Sequence, residues 1–348
     1  MQSGTTSGNK TFPRTILVYV SSDADNAIGE DIIKLVFAQA LRETFPEAHV
    51  SWVPGYGDHG YFNNLLRPLS STYVDEVITD LYVDKGLRGI LKTRHRIQEK
   101  HFDLIIDTQT TIARTLFLRG LSHQVFISRN LKFLLSDRKP SRSSLSSSPH
   151  IMDKLLTLIS AATGKTVNAR HTLDIENHWH ILAEKLLPEG PGYIGFAPGA
   201  GDKGKGKCWP LENYIAVACM QREQGHIPVF LLGPGEVEWW PIIKEQVSGA
   251  LFHEGSERLK DNNIHGPSLL MALAGRLEMA IANCSGTGHM LAAGGASMVS
   301  LFGPTRPEKI APYAKRLKIL RAQDHGSEDI SSIPTGAVSR AIEELLEQ

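Results

Sequence analysis

The chain lacks a cysteine framework, a charge bias and a membrane-length apolar run, and each absence narrows what it can be. Its 348 residues include only three cysteines, Cys208, Cys219 and Cys284. An odd count with no CxxC spacing excludes a disulfide scaffold and a structural zinc site, and it fits a reducing, cytoplasmic setting. Lys+Arg and Asp+Glu both number 37, so the basic excess of a nucleic-acid binder is missing. No stretch approaches 18 apolar residues, which predicts no transmembrane segment but leaves peripheral membrane contact open. The first 13 residues are polar, with no apolar h-region, and read neither as a secretory signal nor as an ordered element.

What is present reads as a globular α/β protein. Hydrophobic residues make up 41% and charged residues 21%. At about 100–200 residues per domain, the length accommodates two cores. TILVYV at 15–20 predicts a buried strand, 32–43 a helix stopped by Phe45-Pro46, and 49–53 a second strand. This β-α-β opening starts a parallel sheet. Further on, 87–100 predicts a basic helix, FDLIID at 102–107 a strand, and the Ser-rich, basic stretch 137–150 a loop that is either a solvated connection or a cationic lip. A helix over 152–164 closes the first unit. Strands are predicted at 193–197, 228–232, 279–282 and 298–302, with helices at 211–224 and 268–274. The division is a tail (1–14), a first Rossmann-like domain (15–164), a linker with a helix (165–192), a second Rossmann-like domain (193–325), and a C-terminal loop and helix (326–348).

Three glycine-rich turns in the second half each follow a predicted strand: Pro198-Gly199-Ala200-Gly201, Gly233-Pro234-Gly235-Glu236 and Cys284-Ser285-Gly286-Thr287-Gly288-His289. In a parallel sheet such turns lie at the carboxyl edge, where ligands bind. Glycine lets backbone N–H groups approach a phosphate, and a following helix adds its positive end. The loop 201–207 carries Lys203, Lys205 and Lys207. It is not a Walker A motif, because Cys208 follows Lys207 where Ser or Thr is needed. Lys207 is the lysine suited to neutralise a departing diphosphate. The histidines of NHWH, His178 and His180, stand at i,i+2 and share no helix face, so no metal site is read there.

The order PGA…KCWPLENY, VFLLGPGE, LAGRLEMAIANCSGTGHMLAAGG and VSLFGPTRPEKIAPY resembles glycosyltransferase family 9, the ADP-heptose:lipopolysaccharide heptosyltransferases. AIGEDIIKLVFAQALRETFP and FDLIIDTQTTIART resemble its first half more loosely. The resemblance implies a GT-B architecture, two Rossmann-like domains facing each other across a cleft, with acceptor on the N-terminal and donor on the C-terminal domain. It implies inverting transfer without a metal or other cofactor, from a nucleotide sugar, ADP-heptose in this family, to an anionic glycolipid such as the lipopolysaccharide inner core. The family's base follows a Gly in the first loop. Here Glu30 takes that place and Asp31 stands next to it, so either could be the base, or both acids could simply favour the start of the helix. The family's donor residues fall on Gly199, Ala200, Lys207, Glu236, Cys284, Ser285, Gly286 and His289, with Cys284 where the family has Asp. Arg114 and Arg119 are read as acceptor-binding forks. Competing readings are a transferase of the same scaffold with another donor or acceptor, a nucleotide-binding relative without turnover, and a two-lobed epimerase.

Overall fold

The computed structural model describes residues 12–20, 28–54, 61–79, 100–145, 147–201 and 206–347. They form two parallel sheets flanked by helices. The first contains β1 (Thr15–Val20), β2 (His49–Pro54), β3 (Glu76–Val77), β4 (Phe102–Asp107) and β5 (His123–Ser128), in the order β3-β2-β1-β4-β5. The second contains β6 (Tyr193–Ala197), β7 (Ile227–Phe230), β8 (Leu251–Phe252), β9 (Met279–Asn283), β10 (Ser297–Phe302) and β11 (Leu317–Arg321), in the order β11-β10-β9-β6-β7-β8. In each sheet the chain starts near the centre, winds to one side, returns beside its first strand and winds to the other. The points of reversal lie between β1 and β4 and between β6 and β9, and in open α/β sheets ligands bind outside the carboxyl ends at such points.

The central strands are apolar runs because both faces are covered. Ile16–Val20, Tyr193–Ala197 and Met279–Asn283 are all buried. Helix α1 (Ile28–Thr44) is buried almost all round, including Lys34 and Gln39, because it lies between the first sheet and the second lobe. It begins four residues earlier than the apolar pattern predicts, and Gly29, Glu30 and Asp31 form its first turn. Its end is set beyond Thr44, where Arg42 Nη1 donates to the carbonyls of Pro46 (3.1 Å) and Ala48 (2.6 Å).

The two lobes share a continuous apolar core. It runs from the first sheet through α1 and the helix Ile151–Thr163 into the helices Pro267–Ala274 and Gly286–Ala293. The connecting segment is held on both sides. The Asp174 amide donates to Tyr73 Oη at 2.8 Å, Arg170 pairs with Glu43 at 2.5 Å, and the Leu173 amide donates to the Ala293 carbonyl at 2.9 Å. The C-terminal helix Thr335–Leu346 is not an appendage. Val338, Ala341, Ile342 and Leu345 complete the second lobe's core. Strands β3, β5, β8 and β11 were not expected from the sequence. They are short or only half apolar, and their neighbours in the sheet decide them. Of the expected basic helix only Lys100 is described, paired with Glu76 at 3.1 Å; the rest lies outside the described residues.

Candidate functional site at the junction of the lobes

The three glycine turns meet where β6, β7 and β9 end. The Glu236 side chain is 9% exposed, and its Oε2 accepts from the Gly233 amide at 2.9 Å. A Cβ on Gly199 would stand 2.8 Å from the Glu236 carboxyl carbon, and one on Gly233 would stand 3.0 Å from Oε2. The first two turns therefore close around one carboxylate, and a side chain at either glycine would displace it. The third turn opens the helix Gly286–Ala293. Ser285 is its N-cap, and its Oγ accepts from the Gly288 amide.

The spacing of these turns is fixed by a residue that sequence reading missed. Asn283, at the end of β9, is fully buried. Its Nδ2 donates to the Pro198 carbonyl at 2.7 Å, while its Oδ1 accepts from the Trp209 amide at 3.1 Å and from Tyr214 Oη at 3.0 Å. Trp209 is itself locked by its indole N–H, which donates to the Ile333 carbonyl at 2.9 Å. One amide side chain thus ties the first glycine turn to the segment that carries Lys207 and Cys208. Lys207 lies near enough to Cys284 to act on its charge. Burial pushes the Cys284 thiol up, with the Thr305 hydroxyl and the Lys207 ammonium pulling the other way. That direction disfavours the thiolate, the nucleophilic form of a cysteine. Lys203 and Lys205 lie outside the described residues.

The first lobe meets this edge through the start of α1. A Cβ on Gly286 would fall 2.2 Å from Ile28 Cγ2, and one on Gly29 would fall 2.6 Å from His289 Cδ2 and 3.4 Å from the Gly286 Cα. Two helix N-termini, each the positive end of its macrodipole, therefore abut glycine to glycine. Burial, then the neighbouring His150, pushes His289 down to about 4, so its imidazole is neutral at neutral pH. His150 joins the lobes directly. Its Nδ1 accepts from the Met152 amide at 3.2 Å, and its Nε2 donates to the Ala311 carbonyl at 2.9 Å.

The structure separates the two candidate bases. Glu30 is exposed in the first turn of α1, next to Gly29. Asp31 is turned inward and is 1% exposed, with Oδ1 3.0 Å from Lys34 Nζ and Oδ2 accepting from the Phe62 amide at 3.3 Å. Asp31 thus forms a buried ion pair within α1 and ties α1 to the segment 61–63 through the Phe62 amide, while Glu30 is the exposed acid of the two.

In the first lobe Asp107, at the end of β4, is a brace. It accepts from Thr115 Oγ1 (2.5 Å), Ser128 Oγ (2.9 Å) and the Gln109 amide (2.9 Å), while burial pushes its carboxyl up. Arg114, in the helix Ile112–Arg119, donates to Gln109 Oε1 at 3.0 Å near that edge. Arg119 is brought elsewhere. It sits at the far end of the same helix, paired with Asp137 at 2.8 Å, donating to the Leu135 carbonyl and lying over the Phe126 ring. It secures the segment after β5 and is not brought to the glycine turns. A cationic cluster does gather from both lobes: Arg129, one of the first-lobe cations suited to an anionic acceptor, stands with Lys154 and Lys309 closely enough that burial and the other two charges push the Lys154 ammonium down. The stretch 137–150 is anchored through Ser144 Oγ, 2.8 Å from Thr166 Oγ1.

Beside the Glu236 turn lies an apolar pocket of about 170 Å³, lined by Leu231, Gly233, His253, Ile264, Leu270 and Thr287 among others, with Leu65 reaching in from the first lobe. A larger cavity, about 300 Å³, lies at the opposite, amino edge of the first sheet, around Arg14 and Asp103, away from this chemistry. Among the described residues no cluster of three His, Cys, Asp or Glu is placed to hold a metal ion, and no helix is long and apolar enough to cross a membrane.

The family model described as glycosyltransferase family 9 (heptosyltransferase) matches residues 90–332. The lipopolysaccharide core heptosyltransferase OpsX of Haemophilus influenzae is 22% identical over 299 residues, 83% of this chain and 80% of that protein. A family 9 glycosyl transferase of Veillonella parvula has a similar fold, with a TM-score of 0.68 at 20% identity over 96% of this chain and 97% of its own. So does the E. coli heptosyltransferase WaaC solved with ADP, with a TM-score of 0.64 at 18% identity over 95% and 99%.

Proposed function

Because the chain belongs to glycosyltransferase family 9, we propose that it transfers a heptose from ADP-heptose to an anionic envelope glycolipid such as the lipopolysaccharide inner core. The observation that carries this reading is the meeting of the α1 and Gly286–Ala293 N-termini beside the Glu236 carboxylate and Lys207. It supplies both things a nucleotide-sugar transferase needs: a place for a diphosphate and, in Glu30 exposed at the start of α1, a carboxylate on the same helix turn.

In this reading Glu236 accepts the ribose hydroxyls, and the neighbouring apolar pocket takes the base, which needs a concave, mostly apolar site with few polar groups. Backbone N–H groups of the helix start at Gly286 and the Lys207 ammonium face the diphosphate. Glu30 accepts the proton of the acceptor hydroxyl. The hydroxyl oxygen attacks the anomeric carbon from the side opposite the diphosphate, and the sugar–oxygen bond breaks as that bond forms. The electron pair leaves on the diphosphate, and the configuration inverts through an oxocarbenium-like state. Positive charge for the leaving group comes from Lys207 and the helix ends, so the scheme uses no metal or other cofactor. Arg129, Lys154 and Lys309 provide the charge for an anionic acceptor, with Arg114 at the edge of the same lobe.

Cys284 favours a second reading, a different donor sugar, because it stands where the family has Asp. Thermal shift with ADP-heptose and a panel of other nucleotide sugars, followed by acceptor-dependent ADP release, tests both. The largest stabilisation with ADP-heptose, together with ADP release, supports the first. A larger shift with another nucleotide sugar moves the donor. Binding without release points to a non-catalytic relative, and no shift with any nucleotide sugar sinks the donor site.

A further inference from the structure

The pocket beside the Glu236 turn has a wall that the second lobe does not supply. Leu65 of the first lobe lines it, together with Leu231, His253, Ile264, Leu270 and Thr287 of the second. A Cβ built on Gly266 would stand 3.8 Å from Leu65 Cδ1, an ordinary van der Waals separation, so the two lobes come close at this wall. Leu65 nevertheless remains 45% exposed, whereas its neighbour Leu66 is fully buried. A single exposed leucine is unremarkable by itself; its place at a pocket formed by the other lobe is what calls for a reason.

The segment that carries Leu65 is held on several sides. The Leu66 amide donates to the Tyr61 carbonyl at 2.9 Å, and Ser70 Oγ donates to the Phe62 carbonyl at 3.0 Å. The Phe62 ring stacks on Trp52 with centroids 4.6 Å apart. Leu66 and Leu69 enter the apolar core that also holds Leu269 and Leu270 of the second lobe. The Phe62 amide donates to Asp31, which ties the same segment to the first turn of α1, where Glu30 stands. Leu65 is therefore presented to the pocket by a fixed backbone.

We propose that Leu65 packs on the nucleobase of the donor, so that the lobe carrying Glu30 also grips the nucleotide bound by the other lobe. The inference rests on the nucleotide-sugar reading above and adds a first-lobe wall to that donor site. Size, lining and place choose the occupant. At about 170 Å³ the pocket is smaller than the ~300–1,000 Å³ that encloses a whole drug-sized ligand, so it takes one part of a nucleotide sugar. Its described lining residues include no Lys or Arg, so it suits the base and not the diphosphate. Gly233 belongs both to the pocket and to the turn that closes on Glu236, and a ribose held by that carboxylate would place its base here.

The test is calorimetry of the full chain with whichever of ADP, UDP and GDP binds most tightly, and with pyrophosphate as a probe that has no base. Leu65→Ala should weaken the nucleotide roughly tenfold, as removing an apolar side chain from a base implies, and leave pyrophosphate affinity and melting temperature unchanged. Leu65→Met should keep most of the nucleotide affinity. Leu65→Cys adds a readout of contact. The nucleotide should slow alkylation of the peptide that carries position 65, and pyrophosphate should not. Equal nucleotide affinity in wild type and Leu65→Ala overturns the proposal, as does alkylation that the nucleotide leaves unslowed. So does an equal loss of nucleotide and pyrophosphate, because that makes Leu65 a support of the phosphate site and not a wall for the base. Each of these results leaves the transferase reading standing, since the wild type still binds. A wild type that binds none of the three nucleotides undoes the transferase reading itself, and this proposal with it.

Discussion

At Glu30 the side chain is exposed at the start of α1, whereas one residue on the Asp31 carboxylate is shared between Lys34 and the Phe62 amide. Their substitutions should therefore fail in different ways. Glu30→Gln is expected to lower turnover by about 100-fold or more, the usual worth of a general base, with nucleotide affinity and melting temperature kept. Asp31→Asn leaves Lys34 buried beside a neutral partner and should cost about 3–5 kcal/mol in urea denaturation. Steady-state rates and denaturation curves on the two variants decide it, and the reverse pattern would return the base to Asp31. Gly199 is the second residue-scale case. A methyl there would stand 2.8 Å from the Glu236 carboxyl carbon and must displace it. Gly199→Ala is expected to weaken nucleotide binding by about tenfold or more, the scale of one charged hydrogen bond, as read by calorimetry. Unchanged affinity would remove Glu236 from the nucleotide site. Both glycine positions are visible in the sequence as turns and Glu236 as a donor residue of the resemblance; that the two turns close on its carboxylate is visible only in the structure.

Among the elements, the apolar strands were the most legible. β1, β4 and β6 begin and end where their apolar runs do, because a strand covered on both faces needs an unbroken apolar run. β5 was not legible, since HQVFIS is apolar only in its second half and Asp137 and Ser136 complete its bonding from outside the strand. The Asn283 hub shows why such cases matter to function. Its partners Pro198, Trp209 and Tyr214 are 69 to 85 residues away in the chain, so no local pattern marks it. Asn283→Leu strands two donors and an acceptor in the core. It is expected to cost about 2–5 kcal/mol, since each unsatisfied buried group costs about 1–3 kcal/mol. Nucleotide affinity should fall as well, because the first glycine turn and the Lys207 segment lose their common tether. Thermal denaturation with a nucleotide titration checks this, and a stable variant with intact binding would show that the turns hold themselves.

For the whole molecule, the buried histidines predict how stability varies with pH. Burial pushes both His289, at the lobe junction, and His253, beside Glu254 and His265, from 6.5 to about 4. The unfolded chain therefore binds more protons than the folded one between about pH 6.5 and 4. Stability from these groups is complete above 6.5 and is lost as pH falls through that window, by at most about 1.4 kcal/mol per pH unit for each. His289→Asn should flatten part of that slope and leave stability at pH 8 to 9 with no new pH dependence, as urea midpoints measured across pH would show. The expected loss is concentrated at the junction, because protonating His289 also sets it against His150 and the positive ends of two helices.

The sequence by itself determined the two parallel-sheet lobes, the place of the glycine turns at the carboxyl edge of the second sheet, and membership of a transferase family. Apolar runs and glycine–strand punctuation are local, and local pattern carries them. Only the tertiary structure decided which of two adjacent acids faces solvent, that Arg119 serves Asp137 while Arg129, Lys154 and Lys309 gather at the junction, and that Gly29 and Gly286 touch. Each of these depends on which side of an element packs against a partner far away in the chain. A burial pattern that covers α1 almost all round gives no hint of which neighbour each face will meet.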